Sequence, residues 1–133
     1  MEEVTGKTEE WPYPFTSEQM DAWKKEYTKV YAKQIGDEFY VYRPLTTNDF
    51  RKVRTDEYNY SKKLESDPDH DNEEKYAMSQ DFTMEAVVKT CVLYPSDYAA
   101  NFLTYGAGVL EQLNALIFVA SGYTDTEIEP IKF

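Results

Sequence analysis

The chain is poor in the residue types that most catalytic and metal sites draw on: its 133 residues include one cysteine, one histidine and five glycines. With Cys91 alone, no intramolecular disulfide can form, and a reducing compartment is expected. With His70 alone, no multi-histidine metal site exists. No phosphate-cradling glycine loop is present, since Gly106-x-Gly108 lacks a third glycine and a preceding strand. No uninterrupted apolar run comes near the roughly 18–20 residues that span a bilayer. Met1-Glu2-Glu3 offers neither a positive nor an apolar leader region, so no signal peptide is expected. Positive charge is scarce as well, with 14 Lys and Arg against 25 Asp and Glu, a formal net charge of −11. Beyond Lys75 only Lys89 and Lys132 remain, against seven acids from Asp81 to Glu129. Phosphate contacts need cationic surface, so nucleic acid and anionic membranes are not expected partners.

What the chain does have is aromatic surface: 16% of its residues are aromatic and twelve are tyrosine, a ring type suited to half-buried sites and interfaces. Its length suits a single domain over 1–133 with one real core. The most apolar stretch is 83–122, expected as a helical core of two helices, 83–93 and 107–121, hinged at Tyr94-Pro95-Ser96 with Ser96 as a plausible cap. Met84, Val87, Val88, Cys91 and Val92 share one helical face, and Val109, Leu110, Leu113, Leu116, Ile117 and Ala120 repeat the spacing.

Other elements are marked by their ends. Residues 1–15 read as an N-terminal arm finishing in Trp11-Pro12-Tyr13-Pro14-Phe15, whose rings either lid the home core or dock on a neighbour. Thr16 and Gln19 form a capping box, with Phe15 and Met20 as its hydrophobic staple. Thr46, Asp49, Leu45 and Phe50 repeat both devices ahead of a short helix to about Thr55. Between these starts, 29–43 reads as a β-hairpin turning at Gly36-Asp37. Phe39 and Val41 fall on one face, expected inward with Arg43 on the same side, and Tyr40 and Tyr42 fall on the other. Residues 56–80 lose all apolar periodicity and read as an acidic loop. Gly122 is the natural left-handed residue closing the last helix, which lets Tyr123 fold back on Phe118. Residues 123–133 read as an extended C-terminal strap. The fold class is α+β, a hairpin packed on a small helical core with extended arms at both termini.

No catalytic constellation emerges. Asp67, Asp69 and Asp71 are spaced like the start of a calcium loop, but Asn72 stands where glycine must turn and Met78 where a glutamate must close the ring. His70 sits amid carboxylates with Ser61 and Ser66 nearby, yet without a nucleophile turn or oxyanion donors. Cys91 lies on an apolar helix face, which suits a buried thiol better than a nucleophile. The sequence thus predicts a non-enzyme with no cofactor and no metal. Its candidate partner-binding residues are Trp11, Tyr13 and Phe15 in one arm, Tyr40, Tyr42 and Arg43 on the hairpin, and Ile128, Ile131 and Phe133 in the other arm.

Four places also carry a resemblance. Trp23 and Tyr27 lead into Val30-Tyr31. Phe39 to Thr46, with its Arg43-Pro44-Leu45-Thr46 end, is followed by Phe50. Val88 to Pro95 follows, and then Gly108 with Ser121-Gly122-Tyr123. This succession resembles small tail and baseplate assembly proteins of tailed bacteriophages, which include tail assembly chaperones and baseplate-hub-associated proteins. It departs from them at Thr47 and in the acidic 56–80 segment. The resemblance implies a viral protein made in the host cytoplasm that binds virion tail or baseplate subunits as part of a larger assembly. An acidic DNA mimic that inhibits a nucleic-acid-binding enzyme is the alternative that the charge allows.

Overall fold

A computed structural model describes residues 11–123 and the backbone of 131–132. The architecture is α+β. Helix α1 (Ser17–Tyr27) leads into strands β1 (Tyr31–Ile35) and β2 (Glu38–Tyr42). Two long helices follow, α2 (Thr47–Glu65) and α3 (Asn72–Cys91), and then strand β3 (Val92–Tyr94). A short helix α4 (Tyr98–Asn101), a 3-10 turn (Phe102–Thr104), helix α5 (Ala107–Ala120) and strand β4 (Ile131–Lys132) complete the order. The sheet is antiparallel throughout, in the order β3-β2-β1-β4.

The start signals act as their chemistry predicts. Thr16 and Thr46 each accept a hydrogen bond from the backbone N–H three residues on, and Gln19 and Asp49 reach back to the cap residue's own N–H. Each staple pair lies within one core cluster, Phe15 with Met20 and Leu45 with Phe50. At the hairpin, Gly36 takes φ 64°, a left-handed conformation that glycine adopts without steric cost. Gly122 takes φ 93°, and the Tyr123 N–H bonds back to the Phe118 carbonyl while the two rings meet edge to face at 5.0 Å.

The alternation along β2 holds, but both of its faces are covered. Tyr40 and Tyr42 point into a cluster with Val87, Val88, Cys91, Tyr98, Leu113 and Ile117 from the helices. Val41 and Phe39 join Phe15, Met20, Val30 and Ala32 on the opposite face, under α1 and the chain leading into it. The sheet is therefore the middle of three layers. This corrects the expectation of a one-sided hairpin with Tyr40 and Tyr42 turned outward: they are 1% and 0% exposed. Their rings carry enough apolar area to fill a core, and a strand covered on both faces reads as a continuous run of large residues.

Residues 56–80 are corrected as well. They are no loop: α2 runs on to Glu65, the chain turns, and α3 begins at Asn72. Asp71 caps α3 by accepting from the Glu74 N–H, and the Glu74 carboxylate answers the Asp71 N–H, a third capping box. The stacked pair Tyr60–Phe82, 4.6 Å apart, and the Ser61–Ser79 hydrogen bond hold the two helices together, and Leu64 of α2 is buried. Further on, α3 ends at Cys91, earlier than expected, because Val92–Tyr94 leave it to pair with β2 as an edge strand. Ser96 is not a cap; Asp97 holds that position for α4 without a side-chain hydrogen bond. Ile131, expected in the strap, pairs through its backbone with β1, while 124–130 and Phe133 lie outside the described residues. Among the described residues no helix is long and apolar enough to cross a membrane.

Candidate functional site: a groove over the third helix

Both α2 and α5 pack on α3, the first as its antiparallel hairpin partner and the second through the apolar cluster of Val87, Val88, Leu113, Leu116 and Ile117. Between them a groove of about 840 Å³ remains. Along α3 it is lined by Asn72, Lys75, Tyr76, Ser79, Gln80 and Thr83, ending at Met84. Those positions repeat at three and four residues, so one continuous helix face looks into the groove. At 1.5 Å per residue the stripe is roughly 18 Å long. Helix α2 contributes Glu57, Ser61, Leu64 and Glu65, again on one face, and α5 contributes Asn114 and Phe118.

The lining is amphipathic. Leu64, Met84 and Phe118 give it apolar contact area, while hydroxyls, amides and carboxylates supply directed bonds. Ser61 Oγ donates to Glu57 Oε2 at 2.8 Å, which leaves its oxygen to accept from Ser79 Oγ at 2.9 Å. Gln80 Nε2 donates to Tyr76 Oη at 2.9 Å. Asn114 Oδ1 is buried without a hydrogen-bond donor among the described residues, which is costly unless a donor reaches it. This arrangement suits binding better than chemistry. The hydroxyl pair leans on a carboxylate, a weak base, and His70 lies at the hairpin turn, bonded through Nδ1 to Asp67 at 2.8 Å.

The residues singled out from sequence fall elsewhere. Phe15 is fully buried, and Trp11 and Tyr13 pack against the same cluster, Tyr13 lying edge-on to Phe39 at 5.3 Å. Trp11 Nε1 also donates to the Phe15 carbonyl. These rings lid the home core, the first of the two readings of the arm. Tyr40 and Tyr42 are interior; burial first, and then the charge of Glu38, pushes the Tyr40 phenol up to about 12, and burial raises Tyr42 further.

Arg43 is a clamp. Its Nη1 donates to Asp49 Oδ2 at 2.7 Å and to the Pro44 carbonyl, its Nη2 donates to the Thr90 carbonyl at 3.2 Å, and its guanidinium sits 4.8 Å from the centre of the Tyr27 ring. Burial, the largest single influence, lowers the Arg43 pKa, but the bond to Asp49 together with the charges of Cys91, Asp49 and Tyr27 outweighs it and the net shift is upward. For Asp49, burial raises the pKa, and the bonds from Arg43 and Thr46 outweigh that and lower it. Cys91 is fully buried, its thiol pushed up to about 12 by burial. Among the described residues no group of three or more His, Cys, Asp or Glu side chains is placed to hold a metal ion. Six of the candidate residues thus lie in the folded body and none of them lines the groove, whose one signal in the sequence is the Asp71-x-x-Glu74 start of α3. No protein-family model, curated protein or solved structure matches the chain.

Proposed function

We propose that this chain is a non-enzymatic binding protein that holds other protein subunits and, following the resemblance, those of a bacteriophage tail or baseplate. The observation that carries the binding reading is the groove over α3, an amphipathic helix face of more than three turns that no other described element covers. Large rings stand in solvent on the same helical hairpin, Tyr58 at 59% and Tyr76 at 67% exposed. Exposed tyrosines supply contact area at low entropic cost, and they are enriched at protein interfaces. The tail or baseplate identity rests on the resemblance alone. The DNA-mimic reading fits less well, because α2 interleaves Arg51, Lys52, Arg54, Lys62 and Lys63 with its acids. A mimic favours rows of carboxylates at phosphate-like spacing.

The test is to titrate the purified chain against the separately purified tail and baseplate subunits of the phage that encodes it, following complex formation by size exclusion and calorimetry. A stoichiometric complex with one of them, at a Kd of about 10 μM or tighter, is expected. Binding to none of them removes the reading.

A further inference from the structure

We infer that the outward ridge of α2 receives an acidic segment of a partner protein. This rests on the binding reading above and gives the partner a chemistry. Phe50, Arg54, Tyr58 and Lys62 follow one another at four-residue spacing, so they stand in one row along the helix. Ring and cation alternate along that row. The Arg54 guanidinium lies 5.6 Å from the centre of the Phe50 ring, and Lys62 Nζ lies 5.8 Å from that of Tyr58. Tyr123, itself exposed, lengthens the row by packing against Phe50 at 5.7 Å. From Phe50 to Lys62 the row is roughly 18 Å long. Arg51, also exposed, stands beside it one turn before Arg54.

Charge says what complements this surface. Helix α2 carries five cations against four acids, and all four acids are already engaged. Asp49 is held by Arg43, Asp56 by Lys52 and Glu65 by Lys62, while Glu57 accepts from Ser61. Arg51, Arg54 and Lys63 are left with no carboxylate partner among the described residues. The α3 acids Glu73, Glu74, Asp81 and Glu85 make no ion pair with them either. In a chain of net charge −11, an unpaired cationic row is the surface that a carboxylate-bearing partner complements.

Composition points the same way. Arg and Tyr dominate the energetics of protein interfaces, and a cation stacked on a ring has less freedom to lose on binding. Carboxylates answer the guanidinium forks, and apolar side chains answer the exposed rings. A nucleic-acid strand fits less well, since its phosphates run on past the row toward the exposed Glu65, Asp69 and Asp71. A second copy sets −11 against −11.

The probe is an amphipathic helical peptide of about 18 residues built from Leu, Ala and Glu, long enough to be helical alone. A twin with Lys in place of Glu and a single-stranded oligothymidylate are the comparisons. Each is titrated into the isotopically labelled full chain at about 0.15 M salt, where distant surface charges are largely screened. Saturable shifts of the Arg54 Nε–H and the Tyr58 amide with the Glu peptide, and none with the other two, are expected. Arg54→Glu should weaken that binding at least about tenfold, whereas Lys25→Glu, on α1, should not. Arg54→Lys should restore only part of the loss, because an ammonium cannot fork onto a carboxylate. Both positions are exposed, so circular dichroism should stay unchanged; if Arg54→Glu unfolds, Tyr58→Ala takes its place with the same expected loss. Equal weakening by Arg54→Glu and Lys25→Glu would mean diffuse attraction and would overturn the inference. Tight binding of the oligothymidylate at Arg54 would overturn it too, as would a dimer that Arg54→Glu dissociates. If Arg54→Glu loses the peptide yet binds its tail or baseplate subunit at full affinity, the ridge inference fails and the binding reading stands. If the unmodified chain binds no subunit but seats the Glu peptide at Arg54, the reverse holds.

Discussion

The β1–β2 hairpin and the α2–α3 hairpin are both two-element units closed by a turn, yet one is saturated and the other is not. On the strands, each of Phe39, Tyr40, Val41 and Tyr42 in β2 has a layer to pack against, on one face or the other. On the helices, Tyr60 and Phe82 close one seam, and the neighbouring face of α3 is left amphipathic and open. The difference is one of side-chain type. Tyr40, Val41 and Tyr42 are large enough to gain from burial on both sides, whereas Asn72, Ser79, Gln80 and Thr83 keep a helix soluble without closing its surface. A surface that can still gain from burial is where a partner has something to offer.

The comparison can be broken most sharply at Phe15, which is fully buried between α1 and the sheet. Phe15→Ala should cost about 3–5 kcal/mol, the range for emptying a buried aromatic site. Tyr76→Ala, on the open face, should cost less than about 0.5 kcal/mol. Urea unfolding of both variants measures this. A Phe15→Ala loss below about 1 kcal/mol would show that the arm is not part of the core.

Arg43 ties the two regions together, since its partners Asp49 and the Thr90 carbonyl lie on α2 and α3. The clamp is partly solvated, with side-chain exposures of 12% and 23% for Arg43 and Asp49. Arg43→Ala should therefore cost about 2 kcal/mol, less than breaking a fully buried pair. The pH dependence has a definite sign. The folded Asp49 pKa lies below its unfolded value, so its contribution is present above about pH 4, near the unfolded aspartate value, and is lost as pH falls through the folded value. Arg43→Ala should flatten the acid limb of the stability curve. An unchanged acid limb would mean that the pair contributes nothing.

What could be read from sequence follows the same division. Phe15–Met20, Leu45–Phe50, Gly36 and Gly122 were legible because caps, staples and left-handed turns depend on local chemistry. Residues 56–80 were not, because a helix with a polar open face shows no apolar stripe, and Tyr60, Leu64 and Phe82 are too few to mark one. Strand β3 hid because Val92 continues the apolar face of α3 and leaves it only to pair with β2. The outward assignment of Tyr40 and Tyr42 failed because alternation tells which residues share a face, and whether a second layer covers that face is a tertiary fact. The groove was hidden for the same reason, since its walls come from three helices.

A smaller effect is expected at Thr28, where α1 joins the dense region. It holds φ 67° and ψ −55°, and Lys29 N–H bonds to the Tyr27 carbonyl at 2.6 Å. This is a three-residue turn in a region that β-branched residues avoid. Thr28→Gly relieves that strain but frees the unfolded chain, so the net gain should be about 0.5–1 kcal/mol. A higher urea midpoint at unchanged slope checks it. A loss of stability would mean that the Thr28 side chain contributes more than its backbone costs.

The least of the expected effects lies at the far end of the open hairpin, where Asp67 and His70 face each other in the turn between α2 and α3. The bond to Asp67 holds the His70 pKa above its usual value, opposed by slight desolvation and aided by the charges of Asp67, Glu74 and Asp69. On Asp67, the Asp69 backbone N–H and then His70 lower the pKa. A raised histidine value means that its contribution is full below about pH 6.5, the unfolded value, and is lost as pH rises through the folded one. For Asp67 the contribution is present above about pH 4 and is lost as pH falls through its lowered value. The turn should therefore be tightest between those limits and loosen on the alkaline side. Because both side chains meet solvent, the melting temperature should barely move, and the readout is local. Proton NMR of the His70 ring should titrate with a midpoint above about 6.5, and Asp67→Ala should bring that midpoint down. A wild-type midpoint at or below the free-imidazole value would show that the pair does not form in solution, and that the hairpin turn is held without it, by the Asp71–Glu74 capping box and the backbone N–H bonds of Asp67 and Asp69.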